Sequence, residues 1–369
     1  MEVLRFAMND PAAYKLPEYR VPADAWRNGL VVRMPNHLGD AVMALPALAA
    51  LKKILPKYCG LFVVAPESFR SFYSELPMVD SFTGLEKPHA NWSLYEIRLV
   101  RKLMAGAGVF FNNSPRDVIA MRLAGVRYLY GTGVRLRSLL LTGSFKFKPQ
   151  QVPGRRAGEH LCARYLAMAM ALGAPPWDGS LPEFRFSRKG DEFEAGISGV
   201  CEHPAMLLLG PGAAYGEAKC YGAGNYNRIA RWWVEKGGIV VVAGSGAELF
   251  TGQEVCAGLP RNKCFNLCGK TGLRELLTLV RFARFMVCND SGIMHLGAAV
   301  GRPGIALFGS TDPTATGPIS PAWRCFASNA ECSPCFSRVC PAGGKRCMEE
   351  LKVESVIREM EKIFGPGRF

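Results

Sequence analysis

Residues 285–318 constrain the fold of this chain more than any other stretch. An apolar run, Phe285 to Asn289, leads into the polar turn Asp290-Ser291-Gly292. A helix-like run of small and apolar residues follows, then a second apolar run, Gly304 to Phe308, and a second polar turn, Ser310-Thr311-Asp312. Short apolar runs joined by a helix read as adjacent, buried parallel strands. The two polar turns then fall at the same end of the sheet, where open α/β folds build ligand sites. Because Asp290-Ser291-Gly292 opens a helix, free backbone N–H groups and the positive dipole end face that site. The arrangement suits an anion, most simply a phosphate.

The same alternation runs through most of the chain. A strand at 30–34 is followed by the turn Pro35-Asn36-His37-Leu38-Gly39-Asp40 and an apolar helix at 41–55. Strands at 61–65, 108–112 and 126–130 and a helix at 160–172 complete a first series. A second begins with a strand at 206–210. It continues through helix 223–236, strand 239–243, helix 246–257, strand 264–267 and helix 273–284 into the segment above. The last helix, 353–364, is amphipathic, with Val356, Ile357, Met360 and Phe364 on one stripe. Residues 173–200 are enriched in Gly, Pro and charge. The expected fold class is therefore α/β, with two Rossmann-like domains facing across a cleft. The expected boundaries are an extension at 1–28, a domain at 29–180, a linker at 181–200, a domain at 201–350 and a terminal helix at 351–369.

A length of 369 residues agrees with two domains. The formal net charge of +14 favours anionic partners: nucleic acid, acidic lipid or a phosphorylated substrate. The first 26 residues carry Glu2, Arg5, Asp10, Lys15, Glu18, Arg20 and Asp24 with no apolar core, so no secretory signal is expected. The longest apolar run, Ala41 to Leu51, falls well short of the roughly 20 residues that cross a bilayer. A cytoplasmic protein is expected, peripheral on a membrane surface at most. Most of the thirteen cysteines are scattered singly in apolar stretches, among them Cys162, Cys264 and Cys288, and read as core residues in a reducing compartment. The exception is Cys332, Cys335, Cys340 and Cys347, spaced C-x2-C-x4-C-x6-C. Four thiolates complete a tetrahedral set for zinc or a single iron, and leave no open position for chemistry. Four unligated thiols in a cytoplasmic loop remain the alternative.

Four segments, in order, resemble one family. They are Arg33 to Pro46, Gly210-Pro211-Gly212-Ala213 through Ala218-Lys219, Gly269-Lys270-Thr271, and Asn289 to His295 through Gly317-Pro318. Together they are similar to the ADP-heptose–lipopolysaccharide heptosyltransferases of glycosyltransferase family 9, and most to the heptosyltransferase II type. The resemblance implies a GT-B fold and an inverting transfer of heptose from ADP-heptose to a lipopolysaccharide inner-core acceptor, with no catalytic cofactor. It also implies transient contact with the inner face of the inner membrane. Within the same fold, a protein heptosyltransferase or a transferase of another nucleotide sugar stays open. His37, and Cys220-Tyr221 after the lysine, depart from the family's usual residues.

Roles follow from the resemblance, set against what spacing alone allows. Asp40 is readable as a first-turn helix acid; the family's aspartate at this point is the proposed general base that takes the acceptor's proton. Lys219 ends a Gly-rich turn that is not a Walker A loop. The family's lysine here binds the diphosphate, offsetting the charge of the departing ADP. Gly212, Asp290, Ser291, Gly292, His295, Ser310 and Thr311 are the expected donor contacts, with Thr316 beside them. From spacing alone His295 is equally readable as a packing residue, and Glu248 as a surface acid. Asn36, His37, Asn113 and Arg116 are the expected acceptor contacts, with Arg127, Arg135 and Arg137 as further cations for an anionic acceptor. A nucleic-acid-binding module is the reading from a different class. The basic residues are spread out, without an aromatic-interleaved run or a standard motif, which speaks against it.

Overall fold

The structure is a computed structural model describing residues 2–6, 8–19, 21–147, 159–186, 198–365, 367 and 369. The described chain forms two compact units, one of residues 8–147 and 159–186, the other of residues 2–6 and 198–369. The expected linker at 181–200 falls mostly on residues 187–197, outside the described ones.

Strand β1 (Glu2–Leu4) belongs to the second unit; the first begins with β2 (Gly29–Arg33). After β2 come α1 (Leu38–Met43), α2 (Leu45–Ile54), β3 (Gly60–Pro66), α3 (Arg70–Ser74), β4 (Ser81–Leu85) and α4 (Leu94–Lys102). Then follow β5 (Ala107–Phe110), α5 (Pro115–Leu123), β6 (Tyr128–Thr132), a 3₁₀ turn (Arg135–Leu140), β7 (Gly143–Phe145) and α6 (Leu161–Ala171). The strands pair in parallel in the order β4-β3-β2-β5-β6-β7, the order of a dinucleotide-binding sheet. β2 is buried at every residue, as a central parallel strand must be. Right-handed crossovers place α4, α5 and the 3₁₀ turn on one face of this sheet. Ile97, Val100, Val118 and Met121 from that layer share a core with Val31, Val64, Phe110 and Leu129 of the strands.

The second unit contains α7 (Ser198–Cys201), β8 (Met206–Gly210), α8 (Ala223–Glu235), β9 (Ile239–Val242), α9 (Leu249–Cys256), β10 (Cys264–Asn266), α10 (Leu273–Phe282) and β11 (Phe285–Asn289). It ends with α11 (Gly292–Ala299), β12 (Gly304–Phe308), α12 (Pro313–Thr316), β13 (Trp323–Ala327), α13 (Arg346–Glu349) and α14 (Val353–Phe364). Its sheet runs β1-β13-β12-β11-β8-β9-β10, parallel except for β1, which pairs antiparallel with β13.

Two differences from expectation have local causes. The helix expected at 41–55 is two helices meeting at Ala44, where Pro46 in the first turn of α2 lacks the N–H that a continuous helix needs. Within the extension expected at 1–28, Glu2–Leu4 forms a strand because the free edge of β13 accepts it. Among the described residues no helix is long and apolar enough to cross a membrane.

Candidate active site

In the second unit, the loops after β8, β11 and β12 converge at the carboxyl end of the sheet. Asp290, directly after β11, receives three donors on one oxygen. Lys219 Nζ donates to Oδ2 at 2.6 Å, Thr311 Oγ1 at 2.7 Å and Thr316 Oγ1 at 3.2 Å. Lys219, Asp290 and Thr311 are all buried. Burying an unpaired charge is expensive, so this carboxylate and ammonium depend on each other. An ammonium carries three donors, and Asp290 takes one from Lys219. On another side the ring of Tyr215 lies 4.7 Å from Nζ.

Ser291 caps α11 without a side-chain cap bond. Its Oγ and that of Ser310 are buried with no hydrogen-bond partner among the described residues. Leaving such a group without a partner costs about 1–3 kcal/mol. Gly292 starts the helix, and His295 is buried one turn on. Gly212 packs against Glu248: a Cβ there would meet Glu248 Cγ at 2.4 Å. Glu248 is more than a surface acid, since its carboxylate accepts from Ser245 N at 2.6 Å and from Ser245 Oγ, closing a capping box.

In the first unit, Arg33 ends β2 fully buried. Its Nε donates to Asp117 Oδ2 at 2.7 Å, its Nη2 to Asn36 Oδ1 at 2.6 Å and its Nη1 to Met34 O at 2.5 Å. Asp117 also accepts from Trp92 Nε1 at 3.1 Å and Asn112 Nδ2 at 2.5 Å. Burial pulls the Arg33 pKa below its ordinary value, while Asp117 opposes the shift. The network pins the turn that carries Asn36, His37 and Asp40. Asp40 sits half-buried in the first turn of α1; the phenol of Tyr165 is pushed well up, by burial first and then by the charge of Asp40. His37 is exposed, its ring 6.4 Å from that of His89. Asn113 accepts from Thr132 Oγ1 and from Arg137 Nη1, the latter at 3.4 Å. Arg116 is exposed in the first turn of α5.

Two of the further cations are placed otherwise than expected. Arg127 lies at the amino end of β6, away from these loops, 3.5 Å from Asp24. Arg137 points inward, its Nη1 bonded to Asn112 O at 2.7 Å and Thr132 Oγ1 at 3.1 Å, and burial pulls its pKa down to about 10. The side chain of Arg135 lies outside the described residues.

The profile of glycosyltransferase family 9 (heptosyltransferase) matches residues 130–346. The lipooligosaccharide heptosyltransferase 2 of Campylobacter jejuni is 32% identical over 91% of this chain and 99% of its own length. The chain belongs to glycosyltransferase family 9. Lipopolysaccharide heptosyltransferase 2 of Escherichia coli is 26% identical over 79% of this chain and 85% of its own. The solved structure of the Escherichia coli ADP-heptose lipopolysaccharide heptosyltransferase II superposes with a TM-score of 0.73 at 24% identity, covering 90% of this chain and 97% of that one. The fold is of the GT-B type, with two Rossmann-like units.

Sequence reasoning passed over two features of this glycosyltransferase. Asn289 is fully buried at the end of β11. Its Oδ1 accepts from Tyr221 N at 3.2 Å and Tyr226 Oη at 2.9 Å, and its Nδ2 donates to Pro211 O, tying the Lys219 loop to the sheet. An asparagine inside an apolar strand was the available signal, since a buried amide needs partners. The second is how the segment carrying the four spaced cysteines braces both walls of the site. Tyr215 Oη donates to Phe336 O at 2.7 Å, Ala218 N donates to Arg338 O at 3.0 Å, and Phe336 N donates to Ser310 O at 2.7 Å. Of its thiols, Cys332 and Cys335 are exposed, Cys340 is half-buried and Cys347 is buried. Backbone N–H groups, Lys345 and Ala342 foremost, hold the Cys340 thiol below its ordinary pKa. Burial pushes Cys347 up, and Cys332, Cys335 and Cys340 add to the rise. Among the described residues no three His, Cys, Asp or Glu side chains are gathered to hold a metal ion.

Proposed function

We propose that this glycosyltransferase moves heptose from ADP-heptose to the inner core of lipopolysaccharide, with inversion at the anomeric carbon. The observation that carries the reading is the buried Lys219–Asp290–Thr311–Thr316 cluster beside the opening of α11. The substrates come from the names of the relatives, the Escherichia coli structure being that of an ADP-heptose enzyme.

The acceptor hydroxyl oxygen attacks the anomeric carbon as the bond from that carbon to the diphosphate breaks. The hydroxyl proton passes to the Asp40 carboxylate. The bond pair leaves on the terminal phosphate oxygen of ADP. Lys219 offsets that charge, together with Ser291, Gly292, Ser310 and Thr311 at the α11 opening. Lys219 thereby takes a task that other transferases give to a divalent metal, and the reading calls for no catalytic cofactor. Asp290 acts through Lys219, holding the ammonium in place. Gly212 lets the loop backbone approach the donor, and His295 supports the first turn of α11. Asn36, His37, Asn113 and Arg116 meet the acceptor.

A structural zinc or iron on Cys332, Cys335, Cys340 and Cys347 is the finer proposal for the cysteine segment. The four sulfurs within one short segment and the N–H groups around Cys340 support it. Holding an ion would draw the exposed Cys332 and Cys335 toward Cys347. Metal analysis after exhaustive dialysis tests it, and a metal content near zero ends it. The lipid of the acceptor would keep the protein in the cytoplasm at the inner face of the inner membrane.

Thermal-shift measurement with ADP, UDP, GDP and CMP tests the donor class, because a ligand of the folded state raises the midpoint. ADP alone should raise it, and Lys219→Ala should abolish the rise. Selectivity for UDP would overturn the heptose reading.

A further inference from the structure

The helical layer on one face of the first sheet shows an outer surface that the chemistry above leaves unused. From Leu94 to Thr142 the chain carries eight Lys and Arg residues and two carboxylates, Glu96 and Asp117. Both carboxylates turn inward, 7% and 1% exposed. Glu96 accepts from Ser93 and Glu86 N, and Asp117 from Arg33, Trp92 and Asn112. These elements therefore present no negative charge outward.

The same surface is apolar. Leu94 and Tyr95 on α4 are 72% and 70% exposed, and Leu139 in the 3₁₀ turn is 80% exposed. Ile119 and Leu123 on α5 and Leu140 beside Leu139 are exposed as well. Hydrogen bonds join the three elements edge to edge. Arg101 of α4 donates to Leu123 O at 2.6 Å, and Arg122 of α5 donates to Leu140 O at 3.1 Å. Amphipathicity alone would bury both leucine-bearing helices by one stripe. Instead α5 buries Val118 and Met121 while exposing Ile119 and Leu123, so it is apolar on both sides. Arg98, Lys102 and Arg116 stand exposed among these side chains with no acidic partner among the described residues.

We infer that the outer surface of α4, α5 and the 135–140 turn docks on an anionic membrane surface. Charge complementarity selects the partner. Arg98, Lys102 and Arg116, on elements that turn their own carboxylates inward, suit acidic headgroups, while leucine, isoleucine and tyrosine enter the interface just below them. The inference builds on the lipid-linked acceptor proposed above, and it adds the face that meets the lipid. The amino ends of α4 and α5 lie at the carboxyl end of the sheet, so the turn carrying Asp40 opens beside that face.

Sedimentation of the full chain with vesicles tests it. The probe is phosphatidylcholine alone, against phosphatidylcholine with about one third phosphatidylglycerol. The wild type should bind the anionic vesicles, ignore the neutral ones, and release as sodium chloride rises. Arg98→Glu/Lys102→Glu and Leu94→Glu/Leu139→Glu should each lose at least about 25-fold in partitioning, at roughly fivefold per charge. Both should keep the wild-type midpoint rise with ADP. Absent binding by the wild type, or equal binding by the variants, would overturn the inference. So would a wild-type dimer in light scattering that Leu139→Glu splits, since the face would then meet a second copy. Loss of the ADP response in the wild type would break the donor reading and leave the vesicle result standing.

Discussion

Among the described residues, each unit buries an ion pair at the carboxyl end of its sheet, Arg33–Asp117 in one and Lys219–Asp290 in the other, and the two pairs are built differently. Arg33–Asp117 is closed. Both carboxylate oxygens are engaged, and the guanidinium spends its donors on Asp117, Met34 and Asn36. Lys219–Asp290 is open. Among the described residues three donors crowd onto one oxygen, the ammonium spends one donor on a hydrogen bond, and the Ser291 and Ser310 hydroxyls have no partner. A closed pair fixes geometry and has nothing to offer a ligand. An open pair holds a charge in readiness for one. The difference also fits arginine, whose planar fork suits fixed bidentate settings, against lysine, a point charge on a flexible stem.

The sharpest test concerns what the closed pair holds. Asp40→Asn should lower kcat by about 10²–10⁴ with the melting midpoint nearly unchanged; steady-state turnover and thermal unfolding measure the two. Turnover near that of the wild type would remove Asp40 from the chemistry.

Arg33→Met comes next. It strands Asp117 in the core and should cost about 3–5 kcal/mol of stability by denaturant unfolding, with the ADP response kept. Replacing both partners, as Arg33→Met/Asp117→Leu, should recover much of that loss. If the double variant stays as unstable as the single one, the pair is not the cause.

Lys219→Ala should lower kcat/KM by about 10²–10³. The corresponding double replacement, Lys219→Met/Asp290→Leu, should restore stability and leave the enzyme inactive. Activity regained in that variant would erase the contrast between the two pairs. Thr316→Val removes the longest of the three bonds to Asp290 and should cost about 0.5–1.5 kcal/mol, with turnover changed less than about tenfold.

The smallest effect is chemical. Because its pKa is lowered, Cys340 carries more thiolate at neutral pH, and that fraction grows as pH rises toward its pKa. Cys347, raised by burial, carries less. Limited alkylation followed by mass spectrometry should therefore label Cys340 before Cys347. The reverse order would contradict both shifts.

What was legible in the sequence was whatever repeats or stands alone chemically. The buried parallel strands around Val31, Leu208 and Val287 announced themselves as apolar runs, and Asp290-Ser291-Gly292 as a helix opening. Ser81–Leu85, Gly143–Phe145 and Trp323–Ala327 were not anticipated. They are short, partly polar at the surface, and held by pairing with neighbours more than by their own pattern. The bond from Lys219 to Asp290 was also out of reach. It joins residues 71 positions apart, and no local spacing encodes which carboxylate a lysine meets. The placement of Arg137 failed for a related reason. Charge counting puts an arginine at a rim, whereas the carbonyl of Asn112 and the ring of Phe110, 5.2 Å away, draw this one inside.

Glu2–Leu4 lies along β13, some 320 positions further on in the chain. Residues 2–4 are made long before β13, so β1 waits unpaired until β13 forms and offers its open flank. A tag that stiffens the first few residues, or a trimming that removes them, would leave that flank bare in the finished protein, inviting strand-to-strand association between molecules and not a failure of chemistry.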